Sequence, residues 1–218
     1  MFGEDIKREI EVFTQHFFDK NPFACKAKQG ELTKNHIARY LKNILYSIEF
    51  TPIHLKAASS RSRELGLNNI AQFMDDKYIE EFGHDKWVKS DLSKLGVNSE
   101  IQNNNELTQG MVELMKFVES LVYGETLYYI AYITFVEYFT VLAAPELLDC
   151  IENKCEIPRS SLTVVANHGE LDKIHIEDDL KAIAKFVDSP EKSSEFIKVI
   201  RKTAELVYLH FSECAELA

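Results

Sequence analysis

Glycine and proline are scarce, 8 and 5 in a chain of 218 residues, and each interrupts regular backbone, glycine by its freedom and proline by its missing N–H. Few breakers imply long elements. No stretch alternates apolar and polar side chains convincingly enough for a strand, and nothing repeats at the period of about 20 to 50 residues that marks solenoids and propellers. Basic residues are the minority charge: 25 Lys and Arg against 35 Asp and Glu leave a formal charge of −10. The densest basic stretch, Lys20 to Lys34, is sparse and broken by apolar residues. Such a chain repels a phosphate backbone, so no nucleic-acid partner is expected.

Cysteine is also limited. Cys25, Cys150, Cys155 and Cys214 include one C-x4-C pair and no C-x-x-C, a spacing of neither a zinc ribbon nor a redox motif, so free thiols are expected. The segment Met1 to Lys7 is charged from its fourth residue and lacks the apolar core of a secretory leader, which predicts a cytoplasmic location. One run from Leu127 to Ala144 carries a single charge, Glu137. Its length only just reaches spanning range, and Tyr128, Tyr129, Tyr132, Tyr138 and the central carboxylate are costly in lipid. It is expected to be a buried core helix, with no membrane partner.

What the chain does have is helical periodicity. Ile6, Ile10, Phe13 and Phe17 predict a first helix over Glu4 to Asp19, ended by Asn21-Pro22. A second starts near Thr33 and carries Ile37, Tyr40, Leu41, Ile44, Leu45 and Ile48 towards Pro52, which should kink or stop it. A third follows Asn68-Asn69 through Ile70, Met74, Phe82, Trp87, Val88 and Leu92 to Gly96. Beyond the polar run Asn98 to Asn105, a fourth helix bears Met111, Leu114, Met115, Val118 and Val122, and Gly124 separates it from the buried fifth, which Pro145 should kink or stop. The sixth runs from Leu162 to Val187, and Ser189-Pro190 opens the last. The expectation is one all-α domain, 1–218, of about seven helices.

Three features could carry chemistry. His168, Asp172 and His175 form an H-x3-D-x2-H pattern, whose offsets fall within roughly 60° of one another on a helix, so one face presents two imidazoles and a carboxylate. That mix suits Fe(II), Mn(II) or Zn(II). Glu137, isolated among apolar residues, needs a metal, a cation or several donors, because unpaired burial costs several kcal/mol or forces protonation. Glu81 and His84 form an E-x2-H pair of the kind that meets one ion in helical-bundle metal sites, with Glu80 nearly as well spaced. Together these give three carboxylates and three histidines from three predicted helices, a set suited to two metal ions. His16, His36, His54 and His210 have no carboxylate at matching spacing on an apolar face, and Glu49 is at most a supporting residue.

The ordered set E-E-F-G-H-D-K-W (Glu80 to Trp87), the lone Glu137 and H-G-E-L-D-K-I-H (His168 to His175) resembles the haem-oxygenase-like di-iron oxidases, relatives of the TenA and PqqC proteins. The likeness covers most of the chain. It implies a seven-helix haem-oxygenase-like bundle, often a homodimer, with Glu81, His84, Glu137, His168, Asp172 and His175 binding two iron ions per chain, the second weakly. It further implies that O2 is activated to oxidise a small organic substrate, by N-oxygenation or by oxidative C–C or C–N cleavage, or in self-sacrificing chemistry at the protein's own residues. Several family members place the first ligand Glu seven residues before its His; here that position is Lys77, a departure that puts one iron site in doubt.

The alternative is a TenA/PqqC-like helical protein without iron, acting as a hydrolase or as a small-molecule-binding or regulatory protein. A thiaminase-like hydrolase needs a nucleophilic cysteine in the central helix, and Leu127 to Ala144 contains none. A haem oxygenase would use an N-terminal proximal histidine such as His16 and leave the three-helix set unexplained.

Overall fold

Ile6, Ile10 and Phe17 lie on one face of the first helix and are wholly buried, as their spacing predicts. The structure, a computed structural model, describes residues 2–101 and 106–216. The first half of the polar run after Gly96 is thus described, while residues 102–105 lie outside. The α-helical segments are α1 (Phe2–Lys20), α2 (Pro22–Gln29), α3 (Lys34–Glu64), α4 (Asn68–Glu81), α5 (Asp85–Lys94), α6 (Gln109–Tyr123), α7 (Leu127–Asn153), α8 (Thr163–Phe186) and α9 (Pro190–Cys214), with a 3-10 turn at Arg159–Ser161.

The seven expected helices are all present, with two local differences. Asn21-Pro22 ends α1 but also starts α2, because the Asn21 side chain accepts a hydrogen bond from the Phe23 N–H at 3.0 Å and Pro22 needs no donor in a first turn. The third helix is divided into α4 and α5: Phe82 is extended and Gly83 takes φ 94°, a conformation costly for residues bearing a Cβ. Neither Pro52 nor Pro145 ends its helix, since each removes one backbone bond from a long helix that packing holds on both sides of it.

Helix α7 is the axis of the fold and packs against α1, α2, α6, α8 and α9. Enclosure on most sides explains its nearly uncharged sequence. It is the one described helix long and apolar enough to cross a membrane, and 67% of its most apolar 18-residue window is buried inside the protein. Helix α8 comes close alongside it at Gly169, where an added Cβ would lie 3.0 Å from that of Ala144. This brings the polar stripe of α8 against Glu137.

Candidate metal centre

The stripe on α8 extends one step beyond the triad, to Asp179, giving spacings of 4, 3 and 4 over His168, Asp172, His175 and Asp179. Asp172 and Asp179 are 2% and 0% exposed, so this is an inner face. From the other side, α4 and the turn after it supply Lys77, Glu80, Glu81 and His84; between them α7 supplies Glu137. His84 sits on the turn that precedes α5, so the E-x2-H pair is formed across a helix break and not along a helix.

His168 Nδ1 lies 2.9 Å from the Val164 carbonyl and donates to it, leaving Nε2 turned inward, 3.1 Å from His84 Nδ1 and 3.7 Å from Glu81 Oε2. His84 Nδ1 is 3.0 Å from the same carboxylate oxygen. Trp87 stacks on the His84 ring, centroids 4.2 Å apart, and fixes its plane. Two ring nitrogens facing each other at this distance need a proton or a metal cation between them. Glu81, and not Glu80, turns to His84.

Glu81, Glu137 and His175 also offer ligand atoms that all lie within 4.8 Å of one another, as do Glu81, His84 and His168. Glu81 is common to both groups, the placement of a bridging carboxylate. Asp172 Oδ1 lies 3.5 Å from His175 Nδ1, and neither buried atom has a hydrogen-bond partner among the described residues. Buried polar atoms without a well-formed hydrogen bond are costly, and two that meet only each other, at 3.5 Å, beside convergent carboxylates and imidazoles fit a divalent metal of the N/O-preferring kind. The six residues singled out from the sequence therefore meet.

The counter-cation for Glu137 is Lys77, which sequence inspection alone does not reveal. Its Nζ donates to both Glu137 oxygens at 2.9 and 3.1 Å and lies 3.0 Å from Asp179 Oδ1 and 3.3 Å from Glu80 Oε2. The charges shift accordingly. Burial opposes the Lys77 ammonium, but Glu137 and Asp179 outweigh it and raise its pKa. Burial, helped by Asp179, pushes Glu137 well above the carboxylate range against the pull of Lys77, and burial also raises Asp179. Glu81 goes the other way: burial would raise it, but His168 and His84 hold it far below its ordinary value. His168 is correspondingly raised, with Glu81 overcoming desolvation.

These groups border a cavity of about 190 Å³ whose charged lining consists of Lys77, Glu81, Glu137, His168 and Asp172; much of the rest is apolar, including Ile44, Ile48, Met111, Ile133 and Phe139. Tyr132 lines it, whereas the Tyr138 hydroxyl bonds Glu11 at 2.8 Å on the surface. Of the remaining candidates, His210 also lines the cavity. Glu49 pairs with Lys89 at 2.8 Å, His16 is exposed and stacks on Tyr208, and buried His210 bonds the Thr108 hydroxyl at 2.8 Å. All four cysteines are free thiols, and none is among the described lining residues of the cavity.

No family model matches the chain, and no curated protein does. Solved structures do. A domain of unknown function with a haem-oxygenase-like fold from Shewanella denitrificans OS217 superposes with a TM-score of 0.85 at 14% identity, covering 97% of this chain and 90% of the other. A TenA homologue from Pseudomonas syringae pv. tomato DC3000 gives 0.76 at 11% identity, with coverage of 100% and 93%. A CADD-like protein of unknown function from Nostoc punctiforme PCC 73102 gives 0.73 at 17% identity, with 97% of both chains covered. At these identities the likeness establishes the fold: the chain is an all-α, haem-oxygenase-like bundle.

Proposed function

We propose that this haem-oxygenase-like chain is a non-haem iron oxidase or oxygenase that activates O2 against a small, largely apolar organic substrate. The observation that carries the reading is the convergence of Glu81, His84 and His168 on one point, beside Asp172 Oδ1 and His175 Nδ1, which face each other at 3.5 Å. Glu81, His84, His168, Asp172, His175 and Glu137 are the residues that would hold iron. When bound, iron would supply the electrons and the open coordination positions that O2 chemistry requires.

The protein's own part is to position and enclose. The Val164 carbonyl fixes the His168 tautomer and Trp87 fixes the His84 plane, so both nitrogens are aimed before any ion arrives. Apolar walls select a substrate with a hydrocarbon or aromatic body and exclude bulk water from the charged groups. A cysteine-dependent hydrolase on this fold is disfavoured because no cysteine is among the described lining residues.

The test is anaerobic Fe(II) loading followed by metal analysis and absorption spectra on exposure to O2. Bound iron and an O2-dependent spectral change are expected, and a folded His168→Ala variant should lose the iron. Stoichiometric iron in that variant would overturn the assignment, and no iron in the wild type would favour a metal-free binding protein.

A further inference from the structure

The second group of ligand atoms, Glu81, Glu137 and His175, differs from the first in one respect: a cation already holds one of its members, Glu137. Lys77 is 4% exposed, sits in the body of α4, and its ammonium is set among carboxylates of α4, α7 and α8. Three ammonium protons face four carboxylate oxygens within 3.3 Å, two from Glu137 and one each from Asp179 and Glu80. We propose that Lys77 is a built-in substitute for a second metal ion, so that the centre binds one metal, at Glu81, His84 and His168, with the Lys77 ammonium occupying the other position.

The inference rests on the metal-centre reading above and deepens it. A protonated lysine has no lone pair to give a metal, and it engages both oxygens through which Glu137 would ligate. A divalent ion placed beside it would meet strong repulsion at short range in a buried site. Nor can Lys77 leave cheaply. Its departure would strand Glu137 and Asp179, two buried carboxylates whose other described hydrogen-bond contacts are with each other and with the Thr134 hydroxyl, 3.4 Å from Asp179. The first group has no such occupant: the described partners of Glu81 are His84 and His168, and no other Lys or Arg is among the described lining residues of the cavity.

The experiment titrates metal-free protein with Mn(II) anaerobically and reads bound metal after desalting, together with the electron paramagnetic resonance signal. The wild type should retain one equivalent with the signal of an isolated ion, and a second equivalent should stay free in solution. Lys77→Glu and Lys77→Met, checked for fold by circular dichroism, should each retain close to two, with the weakened, broadened signal of coupled ions. Two coupled ions in the wild type would overturn the inference and leave the metal reading standing, and this arm decides even where the variants do not fold. One ion in both folded variants would remove Lys77 as the cause and overturn it also. No bound metal in any form would overturn both readings together.

Discussion

At the residue scale, the sequence shows ligand types better than it shows their neutralising partners. His168, Asp172 and His175 announce themselves by spacing, and the same 4-3-4 rhythm extends to Asp179, a signal present in the sequence but hidden in an acidic stretch, Glu177-Asp178-Asp179, that reads as a solvated face. Lys77 is less legible, since a single lysine in a helix usually reaches water and only the approach of α7 and α8 turns this one inward. A different buried histidine yields a pH prediction. Burial lowers His210 to about 3, below its value of roughly 6.5 in an unfolded chain. The unfolded state therefore takes up a proton first, and stability is lost as pH falls from about 6.5 towards 3, by up to about 5 kcal/mol at the low end. Urea midpoints between pH 7 and pH 4 should fall steeply in the wild type and less steeply in a folded His210→Gln variant, whose side chain does not titrate. Identical slopes would remove His210 from the account.

At the element scale, long helices follow from periodicity and few breakers, but where they break and how closely they cross does not. Gly83 divides α4 from α5 and so hands His84 to a turn, where its ring can face both Glu81 and His168. The start of α8 is held from another helix: fully buried Asp91 of α5 accepts from the Val164 N–H at 2.9 Å and the Thr163 hydroxyl at 2.6 Å. This cap lies one turn before His168. Asp91→Ala should cost about 1–2 kcal/mol and weaken metal binding as His168 loses its register, seen as lower metal retention in protein that still folds. Gly110 marks the contact of α6 with α9, since a Cβ there would lie 2.4 Å from the His210 backbone nitrogen. Backbone cannot yield as a side chain can. Gly110→Ala is expected to lower stability by about 3 kcal/mol, measured as a reduced urea midpoint with an unchanged slope.

At the scale of the whole molecule, a metal at Glu81, His84 and His168 would tie the α4–α5 turn to α8 across the cavity. An ion that binds only the folded state at one hundred times its dissociation constant adds about 2.7 kcal/mol, which raises Tm by about 5–10 °C for a chain of this size. Thermal melts with Mn(II) and with chelator should differ by that much in the wild type and coincide in His168→Ala. Coincident wild-type melts at saturating metal would mean that the centre does not link these elements. The exposed acidic excess plays no part in this link, because its charges are solvated and screened.

Local periodicity and composition by themselves determined an all-α fold, the buried character of α7 around Glu137, and the helical face that carries His168, Asp172 and His175, because each follows from side chains repeating along one helix. Only the tertiary structure decided that Glu81 and not Glu80 turns to His84, that Gly83 places that histidine on a turn, and that Lys77 and Asp179 answer Glu137. Those outcomes depend on which faces of α4, α7 and α8 meet and at what distance. Spacing along one helix carries no information about the charge a second helix will bring to it.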